Sequence, residues 1–183
     1  MTAYMEQHKM VLSFDDLLLV PKFSDVLTRK DIVIEQKLKG LRSFSLPIIA
    51  SPMDTVTETK MACAIGKEGG VGIIHRYNTI DEQAEMVANT RMAGLQVGAA
   101  IGVGTTFLDR AKALSEAGVN FLCIDVAHGH HTKVRYALQV LKNTFGDEIH
   151  LMAGNVATLE AFNDLADWGA DSIRVGIGGG SIC

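Results

Sequence analysis

The sequence is short of cysteine, of positive charge and of long apolar runs, and each shortage removes a class of protein. Three cysteines in 183 residues are too few, and odd in number, for a disulfide framework. They point instead to a reducing compartment, the cytoplasm. Lys and Arg number 17 against 21 Asp and Glu, a net charge of −4, so no basic face for nucleic acid is expected. No apolar run reaches the roughly 18 residues of a membrane span, which argues against a membrane partner. The N-terminal stretch does not read as a signal peptide, because Asp15 and Asp16 interrupt its apolar run and no small-residue cleavage site follows. No linker, low-complexity tract or second domain stands out, so residues 1–183 read as one domain.

What is present is a core and a rhythm. Hydrophobic residues make up 48% of the chain and charged ones 21%, a balance that folds. Short apolar runs at 47–51, 71–75, 97–103, 121–126, 150–155 and 172–177 recur about every 25 residues. Helix-period segments fill the gaps at 58–68, 80–92, 107–117, 132–144 and 159–168. Thr79 and Thr158 stand as helix N-caps, and Gly69, Gly94, Gly118 and Gly169 stand where helices should stop. The strands are apolar throughout rather than alternating, as in parallel strands covered on both faces. Repeated strand–helix units predict an α/β fold built of βαβ crossovers. Periodicity leaves two architectures open: an open doubly wound sheet, or about six eighths of a (β/α)8 barrel. The leader, 1–46, reads as short strands and turns, with 29–39 alternating like an exposed strand.

In either architecture the chemistry belongs just past the C-terminal ends of strands. Ser51, Met53 and Asp54 follow the first strand, and His75 and Arg76 the second. Asp125, His128, His130 and His131 follow the fourth, Asn155 ends the fifth, and a glycine-rich loop follows the sixth. That loop runs Gly176-Ile-Gly-Gly-Gly-Ser-Ile-Cys183. Glycines there let backbone N–H groups converge on an anion, Ser181 adds a hydroxyl, and carbonyls turned the other way suit a monovalent cation. A simple tight turn is the plainer reading. The spacing does not match the dinucleotide fingerprint, and no G-x-x-x-x-G-K-[ST] occurs. Cys183, on the loop beside backbone donors, is a candidate nucleophile, whereas Cys63 and Cys123 read as core residues. The three histidines lack the partners at other strand ends that a metal site needs. Asp125 suits a ribose or amide, or else caps the next helix; Asn155 is a turn former or a ligand donor. The eight methionines form no stripe and read as core filler.

Together these residues resemble the IMP dehydrogenase/GMP reductase family. Leu12-Ser-Phe-Asp-Asp-Leu-Leu-Leu-Val-Pro21 resembles its N-terminal signature. Ser51-Pro-Met-Asp-Thr-Val56, Asp125-x-Ala-His-Gly129, Ala153-Gly-Asn-Val156, Arg174-Val-Gly-Ile-Gly178 and Gly180-Ser-Ile-Cys183 resemble its strand-end motifs, in order. The resemblance implies a (β/α)8 TIM barrel, of which this chain holds the leader and about six units. It therefore implies a catalytic domain that is C-terminally incomplete, part of a longer polypeptide, since an open barrel would expose two apolar sheet edges.

The resemblance also implies roles. Cys183 would attack C2 of IMP, hydride would pass to NAD, and water would hydrolyse the thioimidate to XMP. Ser51, Met53 and Ser181 match substrate-binding positions; Asp125, Asn155, Arg174 and Gly176 match the cofactor side. The carbonyls of Gly178, Gly180 and Cys183 match a potassium site. Gly179 stands where the family usually has Pro or Ser, which would loosen the loop. Arg91-Met-Ala-Gly-Leu-Gln-Val97 leaves no room for a CBS regulatory insert, a point in favour of GMP reductase. The 51–58 stretch and the Asp125 motif resemble the dehydrogenases more closely. The expected function is therefore an IMP dehydrogenase of guanine nucleotide biosynthesis, a homotetramer by resemblance. NADPH-dependent GMP reductase and a non-catalytic nucleotide-binding remnant are the alternatives.

Overall fold

The computed structural model describes residues 14–177. Six strands alternate with helices: β1 (Ile49–Ala50), α1 (Thr59–Lys67), β2 (Val71–Ile74), α2 (Ile80–Met92), β3 (Val97–Ile101), α3 (Phe107–Glu116), β4 (Phe121–Asp125), α4 (Thr132–Phe145), β5 (His150–Val156), α5 (Leu159–Asp167) and β6 (Ser172–Val175). All neighbouring strands are parallel, and their order in the sheet is the order of the chain. That order decides between the two architectures. A doubly wound sheet reverses direction part-way, which puts helices on both faces. A sequential order with crossovers of one hand puts every helix on one face and curls the sheet over the other. The fold is α/β, six units of a (β/α)8 barrel.

The two faces carry different cores. Toward the helices, Leu122 and Ile124 of β4 and Leu151 and Ala153 of β5 pack with Leu114, Leu138, Leu141 and Leu165. Inside the curl lie Val71, Ile73, Ala100, Phe121, Cys123 and Met152, joined by Leu41 and Phe44 of the leader and by no helical residue. Each fully buried Leu, Ile or Phe contributes roughly 1.5–3 kcal/mol relative to exposure. Strand residues that read as unbroken apolar runs therefore alternate in destination. Gly98 on β3 makes room for the largest of them: a Cβ there would overlap the Phe121 ring.

The helix boundaries follow local chemistry. Thr79 Oγ1 accepts from Glu82 N, and the Glu82 carboxylate accepts from Thr79 N in return. The Thr79 N–H and then the Thr79 hydroxyl, both donating to the carboxylate, hold the Glu82 pKa below its ordinary value. Thr158 caps α5 through Ala161 N. Gly69, Gly94, Gly118 and Gly169 all take positive φ just past helices, as expected.

The leader departs from expectation. Residues 29–39 do not form a strand: Arg29–Asp31 is a 3-10 turn, and the leader's one described bridge joins Gln36 to Phe44. A strand needs a neighbour to pair with, and among the described residues this segment has Phe44 alone. Residues 36–46 instead close the barrel at its N-terminal end. The Arg42 backbone pairs with the Gln96 side chain, and Lys39 Nζ donates to Asp147 and Asp171. His150 Nδ1 faces the Lys39 carbonyl at 2.8 Å; a carbonyl only accepts, so Nδ1 carries the proton and Nε2 accepts from Ser172 Oγ. Upstream, Leu18, Leu19, Phe23 and Leu27 are almost wholly exposed.

Cysteine and methionine also depart from expectation. Cys63 is only half-buried, whereas Cys123 is buried as expected. Of the described methionines Met152 is a core residue, but Met53, Met61 and Met92 are exposed.

Candidate functional site

The C-terminal ends of the strands converge on one mouth. β1 runs into a compact loop there. Ser51 O accepts from Met53 N at 2.8 Å and from Thr57 Oγ1 at 2.5 Å. Asp54 Oδ1 accepts from Thr55 N, and Thr55 takes the left-handed conformation the turn requires. Pro52 and Thr57 are buried, which leaves Ser51 and Met53 presented at the surface of the mouth.

His75, buried at the end of β2, ties this loop down. Its N–H donates to Thr57 O. Its Nδ1 accepts from Tyr77 N, which leaves Nε2 as the donor toward Glu58 at 3.4 Å, with Asp54 at 3.8 Å. Sequence reading placed His75 and Arg76 at a strand end without giving either a role.

β4 and β6 meet across β5. Arg174 Nη1 donates to Asp125 Oδ1 at 2.7 Å and lies 3.5 Å from Cys123 Sγ. Burial pushes the Cys123 thiol up to about 11, against the pull of the guanidinium. Burial works against the Arg174 charge too, but Cys123 and Asp125 outweigh it and raise the Arg174 pKa. Asp125 is therefore not the helix cap: His131 caps α4 through Lys133 N.

Asn155 Nδ2 donates to Gly176 O at 2.8 Å, so it braces the end of β5 against β6. The Gly154–Asn155 peptide is cis, and Gly154 sits at φ +152° with Arg174 backbone 2.7 Å from where a Cβ would stand. No other residue fits there without displacing Arg174. Gly129 N donates to Asn155 O, closing the Asp125 loop over the same point.

The three histidines after β4 do not converge. His130 Nε2 lies 2.8 Å from Asp164 and its ring stacks on Trp168; His131 is the helix cap; His128 is exposed. Among the described residues no group of three or more His, Cys, Asp or Glu is arranged to hold a metal ion. A cleft of about 260 Å³ descends from the mouth between β1 and β6, with Ser51 and Arg174 both lining it.

The structure thus brings Asp125, Asn155, Arg174 and Gly176 together, with Ser51 across the cleft and Met53 beside it. Ser181, Gly178, Gly180 and Cys183 lie outside the described residues. No helix among the described residues is long and apolar enough to cross a membrane.

Residues 11–183 match the sequence model of the IMP dehydrogenase / GMP reductase domain. The chain is 36% identical to the inosine-5'-monophosphate dehydrogenase of Cryptosporidium parvum over 215 positions, covering 94% of this chain and 52% of the relative. It is 32% identical to that of Borreliella burgdorferi, covering 96% and 55%. It is 26% identical to that of Nitrosopumilus maritimus over 296 positions, covering 94% and 62%. The chain spans little more than half the length of the first two of these relatives.

Proposed function

This chain belongs to the IMP dehydrogenase/GMP reductase family, and on that premise we propose that it forms the nucleotide- and dinucleotide-binding part of an IMP dehydrogenase catalytic domain. The observation that carries the reading is the mouth itself. A carboxylate held by Arg174 and an amide braced on Gly176 stand side by side, where strand-end chemistry belongs in a barrel.

In this reading the Cys183 thiolate adds to C2 of IMP, forming an S–C2 bond as the C2 hydrogen departs with its electron pair. NAD, when bound, supplies the nicotinamide that accepts this hydride. Water then adds to C2 of the Cys183 thioimidate, the sulfur leaves, and XMP is released with the thiol restored. Ser51 and Met53 hold the purine nucleotide from β1, and Ser181 takes its phosphate. Asp125 accepts hydrogen bonds from the riboside of the cofactor. Arg174 keeps that carboxylate aimed, and the fixed Gly176 backbone shapes the floor beside Asn155. These donors and acceptors fit a dinucleotide. The carbonyls of Gly178, Gly180 and Cys183 would hold potassium.

The same reading places the protein in the cytoplasm as a homotetramer, on a domain without a regulatory insert. Alignment lengths support the last point: 296 positions against a chain of 183 residues leave more than a hundred that belong to the relative alone. GMP reductase remains the second reading on the same ground, the absent insert.

The test is an assay of the complete polypeptide in both directions. NAD reduction with IMP is expected. NADPH oxidation with GMP, and no reaction with IMP, would assign the reductase instead.

A further inference from the structure

Building on the reading of the mouth as a dinucleotide site, we propose that Arg76 is the cation that receives the diphosphate bridge of the cofactor. Arg76 follows β2, and its guanidinium lies across the end of β3. There Gly102 offers no side chain, and an added Cβ would stand 3.5 Å from a guanidinium nitrogen. The Tyr77 ring supports it, 5.3 Å from centroid to guanidinium carbon.

Its Nε is shut off from solvent and has no hydrogen-bond partner among the described residues. The carboxylate oxygen it faces, Asp125 Oδ2, is 4.0 Å away, beyond hydrogen-bond reach. The other oxygen of Asp125 is held by Arg174. Two guanidiniums thus flank one carboxylate. Asp54 and Glu58 do not redress the balance, since they face His75. Arg110 adds a third cation nearby: burial first, then the charge of Arg76, lowers the Arg110 pKa. A buried charged donor without an acceptor is costly and rare. The side chain as a whole is 32% exposed, so a ligand meets its terminal nitrogens rather than the enclosed Nε, and a phosphate oxygen is the acceptor that suits a guanidinium fork.

Position selects which phosphate. Around the mouth the order is Arg76 at β2, Asp125 at β4, Asn155 at β5 and Arg174 at β6. In the proposed reading the substrate lies by Ser51, on the β1–β6 side. A riboside set at Asp125 and Asn155 must then send the rest of the dinucleotide toward β2. Its diphosphate is the next group along, and Arg76 is the next cation.

The experiment is calorimetric titration of the complete polypeptide with NAD, nicotinamide riboside, IMP and inorganic pyrophosphate. Wild type is compared with Arg76→Gln and Arg76→Lys, with folding checked by circular dichroism. Arg76→Gln is expected to weaken NAD and pyrophosphate by about tenfold or more, with Arg76→Lys between. Nicotinamide riboside, which carries no phosphate, and IMP should change by less than about twofold. An equal loss for the riboside and NAD would mean that Arg76 acts through Asp125, and would overturn the proposal. So would a loss confined to IMP, or pyrophosphate binding that ignores Arg76. Wild-type protein that binds pyrophosphate through Arg76 but does not bind NAD would overturn the dinucleotide reading and leave Arg76 as an anion site.

Discussion

Asp125 at the end of β4 and Arg174 on β6 meet at 2.7 Å across an intervening strand, directly above the buried sulfur of Cys123. The pair links two strands at the mouth and fixes the carboxylate's direction. Arg174→Met removes the main partner of a largely buried charge and should cost about 2 kcal/mol in urea unfolding. Asp125→Asn keeps an acceptor for Arg174 and should cost less than half of that, while lowering turnover of the complete enzyme at least about tenfold. Equal stability losses would mean that the carboxylate's charge serves the fold rather than the site.

Beneath that pair the Cys123 thiol is held up to about 11 from an ordinary value of 9.0 by burial. A raised folded pKa gives stability that is complete below pH 9 and declines as pH rises toward 11, because the unfolded thiol ionises first. The loss should approach about 2–3 kcal/mol. Denaturant midpoints at pH 8 and pH 10.5 check this, and Cys123→Ala should flatten that component. An unchanged slope in the variant would assign the alkaline loss elsewhere.

At the opposite end of the barrel the acid side is set by His150 and Asp171. Burial lowers the His150 pKa below 6.5, with the Lys39 carbonyl opposing it. The unfolded chain therefore takes up a proton that the folded one refuses, and stability falls as pH drops below 6.5. Burial disfavours the Asp171 charge, but Lys142, the Leu151 N–H and Lys39 outweigh it and keep its pKa below 3.8. Its contribution is present above pH 3.8 and fades as pH falls through the lowered folded value. His150→Gln should cost about 1 kcal/mol at neutral pH and remove the first decline while sparing the second. Hydrogen exchange at 36–46 should quicken with it, since His150 anchors the Lys39 carbonyl. Unchanged exchange there would contradict the docking role.

Gly98 and Phe121 face one another in the barrel interior, where a Cβ on Gly98 would overlap the ring. Gly98→Ala sets a methyl group into the ring and should destabilise by about 1–3 kcal/mol. Phe121→Leu alone leaves a void and should also cost stability. Combined, the two should lose clearly less than the sum of the single changes. Additive losses in a double-mutant cycle would show that the contact does not constrain the two residues together.

Elements set by local chemistry were legible in the sequence. Thr79 with Glu82, Thr158, and the glycines at 69, 94, 118 and 169 mark helix ends because caps and positive φ need only neighbours. The sheet order was not legible from periodicity, since an open sheet and a barrel share the same strand–helix rhythm; the family resemblance supplied the barrel. Alternation at 29–39 misled because pairing depends on a partner, and among the described residues this segment pairs only at Gln36, with nearby Phe44. Asp125 was legible as a strand-end carboxylate but not as half of an ion pair 49 residues away. Arg76 was visible only as a position, because an unmatched buried donor exists only in three dimensions.

A 6-chloropurine ribonucleotide tests the proposed role of Cys183 as the nucleophile. Incubated with the complete polypeptide and followed by peptide mass spectrometry, the reagent should lose chloride to one thiol per chain. That thiol should be Cys183, it should be protected by IMP, and labelling should vanish in Cys183→Ala. Adducts that persist in that variant, or that fall on Cys63, would remove Cys183 from the nucleophile role.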